Sequence, residues 1–221
     1  DSYLSFCRSY TNPVDTQIVK HDEEVCMLQG RYEFEDSTRE EIYCAIRRRQ
    51  KKQFKRNKKE YDRLSDHIGL VPLVMISPAD NELISGGSEI RRRFMDMAIS
   101  QFDKEYLRAL VRYNKALQQR NVLLKNDEML IDHTLLDLWE EQMVEAGNFI
   151  HHKRKEFIEE FTPIFNQFYT RISQSGEQVS FSYISQLNDV DFSEKLKQNR
   201  QRDIFLGHTS VGIHRDELEM L

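Results

Sequence analysis

An apolar stripe with helical spacing between positions 135 and 168 most constrains the fold of this chain. At 1.5 Å per residue, a helix over these roughly 35 residues is on the order of 50 Å long. A second, shorter stripe precedes it, and neither helix could bury its stripe alone. We therefore expect the two helices to pair antiparallel around a turn at 126–128, forming a helical arm, and Pro163 to kink the longer one. The shorter stripe consists of Leu107, Leu110, Leu117 and Leu124, and the longer one of Leu135, Trp139, Met143, Ala146, Phe149, Phe157, Phe161, Ile164 and Phe168.

Segments on both sides of this helical region show the two-residue period of β-strands. Residues 25–34 and 41–49 are rich in β-branched and aromatic side chains, and a further hairpin is expected to turn at 56–58. The apolar run at 70–76 predicts a buried strand, and alternation returns at 179–184. Strands, inserted helices and strands in this order predict an α+β (α/β) fold.

Short local patterns predict where three helices and the last strand begin. The stretches Ser-Pro-Ala-Asp at 77–80 and Asp-Phe-Ser-Glu at 191–194 have the spacing of capping boxes. Ser88 follows two glycines and is expected to be an N-cap. Gly212 is expected to begin a final extended segment.

Composition excludes several classes of protein. With 39% hydrophobic residues, 8 glycines and 4 prolines, the chain is neither collagen-like nor generally disordered. The longest apolar stretch, 68–76, is far shorter than the ~20 residues that cross a bilayer, so no membrane association is expected. Cys7, Cys26 and Cys44 are odd in number and far apart, which argues against disulfides and zinc and favours a cytoplasmic protein. No metal site is predicted.

Positive charge is concentrated in one part of an acidic chain. The net charge of the chain is −5. The segment 47–63, however, contains ten basic residues and only two acids, Glu60 and Asp62, a local charge of +8. Such a segment predicts contact with a polyanion, or else a solvated face, while Phe54 and Tyr61 could be base-stacking platforms or core. The basic residues are Arg47, Arg48, Arg49, Lys51, Lys52, Lys55, Arg56, Lys58, Lys59 and Arg63.

A second cationic cluster, Arg91, Arg92 and Arg93, lies in the first turn of the helix expected after Ser88. Cations there oppose the helix dipole, so they are expected to meet compensating charge. Either acids such as Asp80, Glu82, Glu89 and Asp96 pair with them, or they bind phosphate of a nucleotide or DNA. The sequence leaves both possibilities open.

Catalytic patterns are missing from the sequence. None of the 8 glycines precedes a lysine, so the chain has no GxxxxGK[ST] phosphate loop, and we do not expect it to hydrolyse ATP by itself. No Ser-His-Asp, Cys-His or paired-carboxylate pattern stands out, and no catalytic residue is predicted. The chain starts without methionine and ends inside a patterned segment, which predicts an internal piece of a longer protein.

Four stretches carry a resemblance to the RecF family of bacterial DNA replication and repair proteins. They are 3–10, 76–81 with 85–96, 106–121 with 124–125, and 212–218. The corresponding family patterns at the last three are similar to SPED with GGPxxRRRFLD, RYNxxLKQRNxLLK, and GPHRDDL. The sequence departs from them at Ala79, Ser88, Met95 and Ile213, and the first of these departures weakens any role transferred to the 77–80 loop.

The resemblance implies a partial ABC-type, SMC-like ATPase head with an inserted antiparallel helical arm. Residues 1–87 and 173–221 would belong to the head and 88–172 to the arm, domain II. The family's P-loop would lie upstream of Asp1, and its signature and Walker B motifs downstream of Leu221. ATP and Mg²⁺ would then be cofactors of the parent protein, with none expected for this chain alone.

The resemblance also implies a function and partners. The parent would bind DNA as an ATP-dependent homodimer and act in recombinational repair and the SOS response, at gapped or single-stranded DNA, with RecO and RecR. Two other hypotheses stay open: a helical structural or interaction module, and the head of a different SMC-like ATPase.

Site residues follow from the basic segments and the family motifs. DNA contact is expected first at Arg47, Arg48, Arg49, Lys51, Lys52, Lys55, Arg56, Lys58 and Lys59, and second at Arg91, Arg92, Arg93 and Arg120. Asp80 is a weak candidate for nucleotide contact. His214, Arg215 and Asp216 match the family motif without an assigned role.

Overall fold

The computed structural model describes residues 2–9, 14–126, 128–174 and 176–221. Tyr10, at the end of the first RecF-like stretch, lies outside these residues, as does Asp127 in the expected turn.

Tertiary contacts divide the chain into two units, Asp1–Ile76 and Ser77–Leu221. The first is built on a sheet and the second on helices. The assignment of 1–87, 88–172 and 173–221 to head, arm and head stays a prediction.

The first unit contains a four-stranded antiparallel sheet in the order β1-β2-β3-β4. Both long strands and the hairpin at 56–58 were predicted, and the structure confirms them. Asn57 and Lys58 have φ angles of 49° and 70°, the left-handed values that a two-residue type I′ hairpin turn requires. The elements are helix α1 (Ser2–Phe6), strands β1 (Val25–Glu33), β2 (Arg39–Arg47), β3 (Gln53–Arg56) and β4 (Lys59–Glu60), and 3₁₀ turns at Asp15–Ile18 and Leu64–Asp66.

One face of this sheet forms the core of the first unit. Alternate β2 residues Ile42, Cys44 and Ile46 are at most 2% exposed and pack with Leu4 of α1 and Phe54 of β3. Because side chains alternate between the two faces of a strand, residues one position away point to the opposite face. That opposite face is the outward face of the sheet.

The prediction of a buried strand at 70–76 is wrong. The segment forms no strand, and Val74 and Ile76 are 86% and 87% exposed. Pro72 lacks the N–H group that a central strand must donate, which accounts for the failure of the apolar pattern to form one.

The second unit is helical, with a two-stranded sheet near its end. Its helices are α2 (Glu82–Ser85), α3 (Ser88–Phe102), α4 (Lys104–Leu124), α5 (His133–Ser173) and α6 (Phe192–Leu206). Strands β5 (Phe181–Ile184) and β6 (Glu217–Met220) pair antiparallel, and 3₁₀ turns lie at Pro78–Asn81, Glu128–Leu130 and Ile213–Arg215. No helix in the described ranges is long and apolar enough to cross a membrane.

Helices α4 and α5 pair antiparallel, as the two stripes predicted. Arg112 bonds Glu145 while Arg120, further along α4, bonds Glu140, nearer the start of α5. Tyr113 of α4 and Met143 and Ala146 of α5 are fully buried in one core between the helices. Helix α5 is 41 residues long and continues through Pro163, where the kink stays a prediction.

The capping patterns are confirmed at two of the three predicted helix starts. Asp191 Oδ1 accepts the Glu194 N–H at 2.8 Å, and Asp80 Oδ2 accepts the Ser77 N–H at 2.6 Å. The prediction that Ser88 is an N-cap is wrong, because Ser88 is the first residue of α3 and Gly87 is the cap. Gly212 precedes a 3₁₀ turn before the final strand, so its extended segment begins later than predicted.

Candidate nucleic-acid interface

The structure separates the basic segment into two groups at opposite ends of strand β3. Arg47, Arg48, Arg49 and Lys51 lie at the β2–β3 turn, whereas Lys55, Arg56, Lys58 and Lys59 lie at the β3–β4 hairpin. At about 3.3 Å per residue, four strand residues separate the two groups by ~13 Å. Exposed side chains in the two groups are Arg47, Arg49, Lys51, Arg56, Lys58 and Lys59.

Three basic residues of the segment are held by other groups of the first unit. Lys52 is 17% exposed, and its Nζ lies 2.8 Å from Asp15 Oδ2. Arg56 pairs with the buried Glu40, whose hydrogen bonds raise the pKa of Arg56. Arg48 Nε donates to the Glu23 carbonyl at 3.0 Å. These contacts stabilise the sheet and its turns, which makes the three residues poorer candidates for DNA contact.

The aromatic residues of the basic segment belong to the core. Phe54 is 1% exposed. Tyr61 is half-buried, packs near Phe54 and contacts His67 Nδ1 through its hydroxyl at 3.0 Å. Of the two alternatives for these rings, the core interpretation is correct.

The arginine cluster of α3 pairs with acid, but with an acid that the sequence did not suggest. Arg91 forms a bidentate pair with Glu217, at 2.8 and 3.0 Å, and this contact raises its pKa. Arg92 Nη1 donates to the Asp216 carbonyl at 2.6 Å, and burial lowers the pKa of Arg92. Arg93 is exposed. Only Arg93 of the three therefore presents its charge to solvent.

A buried hub centred on Arg154 connects α3, α5 and the segment after Gly212. Arg154 is 2% exposed, and its guanidinium lies 2.8 Å from Asp96 Oδ1 and 2.9 Å from Asp216 Oδ2. It also donates to the Ile213 carbonyl at 2.9 Å. The Tyr106 and Tyr183 hydroxyls bond Asp96 and Asp216, and burial raises the pKa of both tyrosines.

Arg120 occupies a second buried hub, which joins three helices. Its guanidinium bonds Glu140 of α5 at 2.9 and 3.0 Å and Asp203 of α6 at 2.8 Å, and it reaches Thr209 Oγ1 at 2.8 Å. Arg120 is 0% exposed. The prediction that Arg120 contacts DNA is therefore wrong, because a guanidinium enclosed by these carboxylates cannot reach a phosphate.

The histidine of the last family motif is also part of the interior. His214 Nε2 faces the Thr209 carbonyl at 3.2 Å and Nδ1 faces the Tyr113 hydroxyl at 2.9 Å. A carbonyl only accepts, so Nε2 carries the proton and Nδ1 accepts from Tyr113. Burial lowers the pKa of His214 to about 4, so the ring is neutral near pH 7. Gly212 has φ +136°, and a Cβ there would lie 2.3 Å from Tyr113 Oη.

The residues of the family motifs thus converge in the second unit. Asp96, Tyr113, Gly212, His214 and Asp216 come from three of the quoted stretches and lie around one hub. Arg215 is exposed beside them. Sequence reasoning missed Arg154, Tyr183, Glu140 and Asp203, although Arg154 lies four residues from both Ile150 and Ile158 on the buried stripe of α5.

Asp80, the candidate for nucleotide contact, lies in the 3₁₀ turn Pro78–Asn81 of the second unit. The Asp80 carboxylate bonds the Ser77 N–H and closes its own turn, and its contact with nucleotide stays a prediction. The sequence contains no P-loop that could hold ATP phosphates. Within the described ranges no group of three His, Cys, Asp or Glu side chains is placed to hold a metal ion.

Curated relatives match almost the whole chain. The chain is 59% identical over 219 residues to the DNA replication and repair protein RecF of Bacteroides thetaiotaomicron, and 57% and 56% identical to those of Bacteroides fragilis (strain YCH46) and Parabacteroides distasonis. Each alignment covers 99% of this chain, and the chain spans 59% of the length of these relatives. No protein-family model matches the sequence.

Solved structures show the same fold. A structure described as the recombination mediator protein RecF-ATPrS in the RecFOR pathway superposes with a TM-score of 0.92 at 28% identity, covering 100% of this chain and 62% of its own. A RecF-ATP structure superposes with a TM-score of 0.91. The mixed helix-and-strand fold is that of part of an ABC-type ATPase, as predicted. The chain is thus similar to RecF proteins over 99% of its own length and over part of theirs.

Proposed function

We propose that this chain is the DNA-contacting and arm-bearing part of a RecF-like protein of recombinational repair. The observation that carries this proposal is the 59% identity to RecF over 99% of the chain. The parent protein would act at gapped DNA in the cytoplasm, with RecO and RecR as partners and in the SOS response. ATP and Mg²⁺ would be bound by the rest of the parent and would drive its dimerisation.

The exposed cations at the two ends of β3 are the best candidates for DNA contact in the first unit. The ~13 Å between the ends corresponds to about four steps of 3.4 Å along the axis of a DNA duplex, so both groups can meet phosphates of one duplex. The hairpin end is held rigid by its type I′ turn and by the Arg56–Glu40 pair. Because the backbone and side chains at this end are already ordered, less conformational entropy is lost when DNA binds.

Charge reversal at these exposed cations tests the proposal. Changing Arg49, Lys51, Lys58 and Lys59 to Glu should lower the slope of log K against log salt by about 3.6, because each of the four lost phosphate contacts removes about 0.9. Near 0.1 M salt this change corresponds to a loss of roughly 4,000-fold in duplex affinity. Lys52 and Arg56 are left intact, since replacing them would disturb the fold. The measurement is a fluorescence-anisotropy titration at several salt concentrations.

The matched control carries the same charge change on exposed residues of the second unit: Lys115, Lys155, Lys197 and Arg202, each changed to Glu. We expect the slope of log K against log salt for this control to stay within about one unit of the slope for the unmutated chain. Equal losses in both variants would indicate a response to net charge alone, and an unchanged slope in the first variant would exclude the ends of β3 from the interface.

An interaction module is a second candidate, because the end of α5 exposes apolar residues. Ile164, Phe168 and Ile172 are 55%, 56% and 82% exposed and recur every four residues, so they lie on one face of the helix. If a second copy of the chain packs on this face, the mass in sedimentation velocity should rise with concentration. Ile164→Lys with Phe168→Lys should then restore the monomer mass, whereas a monomer at all concentrations would argue against self-association.

A further inference from the structure

The second unit exposes large apolar side chains at the end where α4 stops, α5 starts and α6 stops. A small core closes this end: Leu124, Ile131 and Leu136 are buried, and Ile204 packs against them. Four apolar residues beside this core stay exposed and form what is called the tip surface below. They are Met129 (98% exposed), Leu130 (72%), Phe205 (89%) and Leu206 (40%).

Two separate segments supply the tip surface. The 3₁₀ turn Glu128–Leu130 directly precedes the buried Ile131 and contributes the first two residues. Helix α6 contributes its last two residues, which directly follow Ile204. Gly207 ends α6 with a left-handed φ of 67°, and a Cβ there would lie 3.9 Å from the Leu124 carbonyl oxygen. The end of α6 therefore lies beside the end of α4, and both segments lie at one end of the unit.

The apolar area of the tip surface is large for a monomer. Its four side chains expose on the order of 600 Å², the upper end of the range for the largest patch on a typical monomer. Together with a polar rim, such a patch approaches the ~800 Å² that each partner contributes to a standard protein–protein interface. The tip surface therefore has the size of a docking surface.

Charged groups of both signs surround the tip surface. Lys125 and Arg202 are exposed, and neither forms an ion pair with another of the described residues. Asp132 is exposed at the same end and caps α5 by accepting the Leu135 N–H at 3.0 Å. The helix ends are also mixed, since the C-termini of α4 and α6 carry partial negative charge and the N-terminus of α5 carries partial positive charge. A rim of one sign would favour a partner of the opposite sign, whereas a mixed rim can complement a second copy of itself.

We propose that the tip surface binds the tip surface of a second copy of this chain, in a two-fold symmetric contact that needs no nucleotide. A rotation of 180° brings the apolar groups together and sets the cations of each copy against the acid of the other. The inference goes beyond the proposed function, because the contact involves neither DNA nor ATP. It is also separate from the ATP-dependent dimer proposed for the parent, so the two contacts together would link parent dimers into larger assemblies.

Sedimentation velocity of the chain without DNA or nucleotide tests this contact. We expect the mass to rise from monomer toward dimer between about 1 and 200 µM, the range of a weak interface. Phe205→Ala should weaken dimerisation at least about 30-fold, because a two-fold contact contains each residue twice and each truncated aromatic anchor weakens binding about fivefold or more. Met129→Glu with Phe205→Glu should leave a monomer at every concentration, since four carboxylates would lose water in the contact.

The matched control carries the same number of new charges on the exposed apolar face at the end of α5. Ile164→Lys with Phe168→Lys should dimerise like the unmutated chain, because these positions lie outside the tip surface. Thermal unfolding by circular dichroism verifies that each variant folds.

Reversing the rim cations tests the complementarity of charge. Lys125→Glu with Arg202→Glu leaves an entirely acidic rim on each copy, so dimerisation should weaken about 10-fold near 0.1 M salt. The deficit relative to the unmutated chain should shrink in about 1 M salt, which screens the repulsion.

The outcomes identify the surface as well as the association. A monomer mass at every concentration of the unmutated chain overturns the proposal. A dimer that persists in Met129→Glu with Phe205→Glu but is lost in the α5 control places the contact on α5 and overturns it as well. If the charge-reversed variant dimerises like the unmutated chain, the two rims do not face each other and the two-fold arrangement fails.

Discussion

Replacing Arg154 by methionine is expected to lower the free energy of unfolding of the Ser77–Leu221 unit by about 3–5 kcal/mol. The guanidinium neutralises Asp96 and Asp216 together and caps the Ile213 carbonyl, and Asp216 is 0% exposed. Methionine fills a similar volume but leaves these groups buried without a partner, which costs more than the pair itself contributes. Trp139 in α5 is the one tryptophan of the sequence, so its fluorescence during urea unfolding reports on this unit.

Two further variants test that explanation. Lys155→Met, an exposed position next to Arg154 on α5, should change the free energy of unfolding by less than about 1 kcal/mol. Adding Asp216→Asn to Arg154→Met removes one uncompensated charge and should recover part of the loss. A double variant as unstable as the single one would show that the cost comes from packing and not from the buried charge.

The Arg154→Met variant should also become pH-dependent. Burial already raises the pKa of Asp216, and without the opposing charge of Arg154 that pKa rises further above its unfolded value. The folded state then binds more protons than the unfolded state, so the deficit relative to the parent chain should shrink as the pH falls from 7 toward 4. A deficit that grows on acidification would contradict this assignment.

Replacing Arg120 by methionine is expected to cost a similar ~3–5 kcal/mol. Glu140 is 5% exposed and Asp203 is 0% exposed, and both lose their main cationic partner in this variant, although Arg200 still bonds Glu140. Thr209 loses one donor as well. Urea unfolding followed by Trp139 fluorescence measures the change in the free energy of unfolding. We expect α6 to detach at a lower urea concentration than α4 and α5.

Helix α4 provides its own control for Arg120. Arg112 pairs with Glu145 at 2.9 Å across the same two helices, but the side chains are 45% and 66% exposed. Arg112→Met removes the same chemical group from the same helix and should cost less than about 1 kcal/mol, because solvent screens the pair and rehydrates the remaining carboxylate. If Arg112→Met and Arg120→Met lowered the free energy of unfolding by comparable amounts, burial of the ion pair would not determine the cost of removing the arginine.

Periodic features of the fold could be predicted from the sequence, because they depend on neighbouring residues. The stripes at 107–124 and 135–168 became α4 and α5, and the alternation at 25–34 became β1. The apolar run at 70–76 failed because Pro72 interrupts strand bonding. Local patterns therefore predicted these helices and this strand correctly. They failed at 70–76, where Pro72 removes a backbone N–H donor.

The two buried hubs could not be predicted, because they join residues far apart along the chain. Arg120 bonds Asp203, which is 83 positions away, and Arg154 bonds Asp216, which is 62 positions away. A weak signal did exist, since Arg120 lies four residues from both Ala116 and Leu124, and Arg154 from Ile150 and Ile158, all on buried stripes. A charged residue at such a position predicts a buried partner but does not identify it.

The DNA candidates stay predictions, but the structure shows that several of the candidate side chains are engaged within the chain. Composition located the cationic segment, yet Lys52, Arg56 and Arg120 are held by carboxylates that only the folded chain brings near.

The Arg120 hub has a consequence for the order of events during synthesis. Asp203 is translated 83 residues after Arg120, which takes about 4–17 s at roughly 5–20 residues per second. During that interval α4 and α5 can already pair through Glu140, but α6 and its carboxylate do not yet exist. The packing of α4 and α5 is therefore incomplete on the ribosome until the helix that ends at Leu206 emerges.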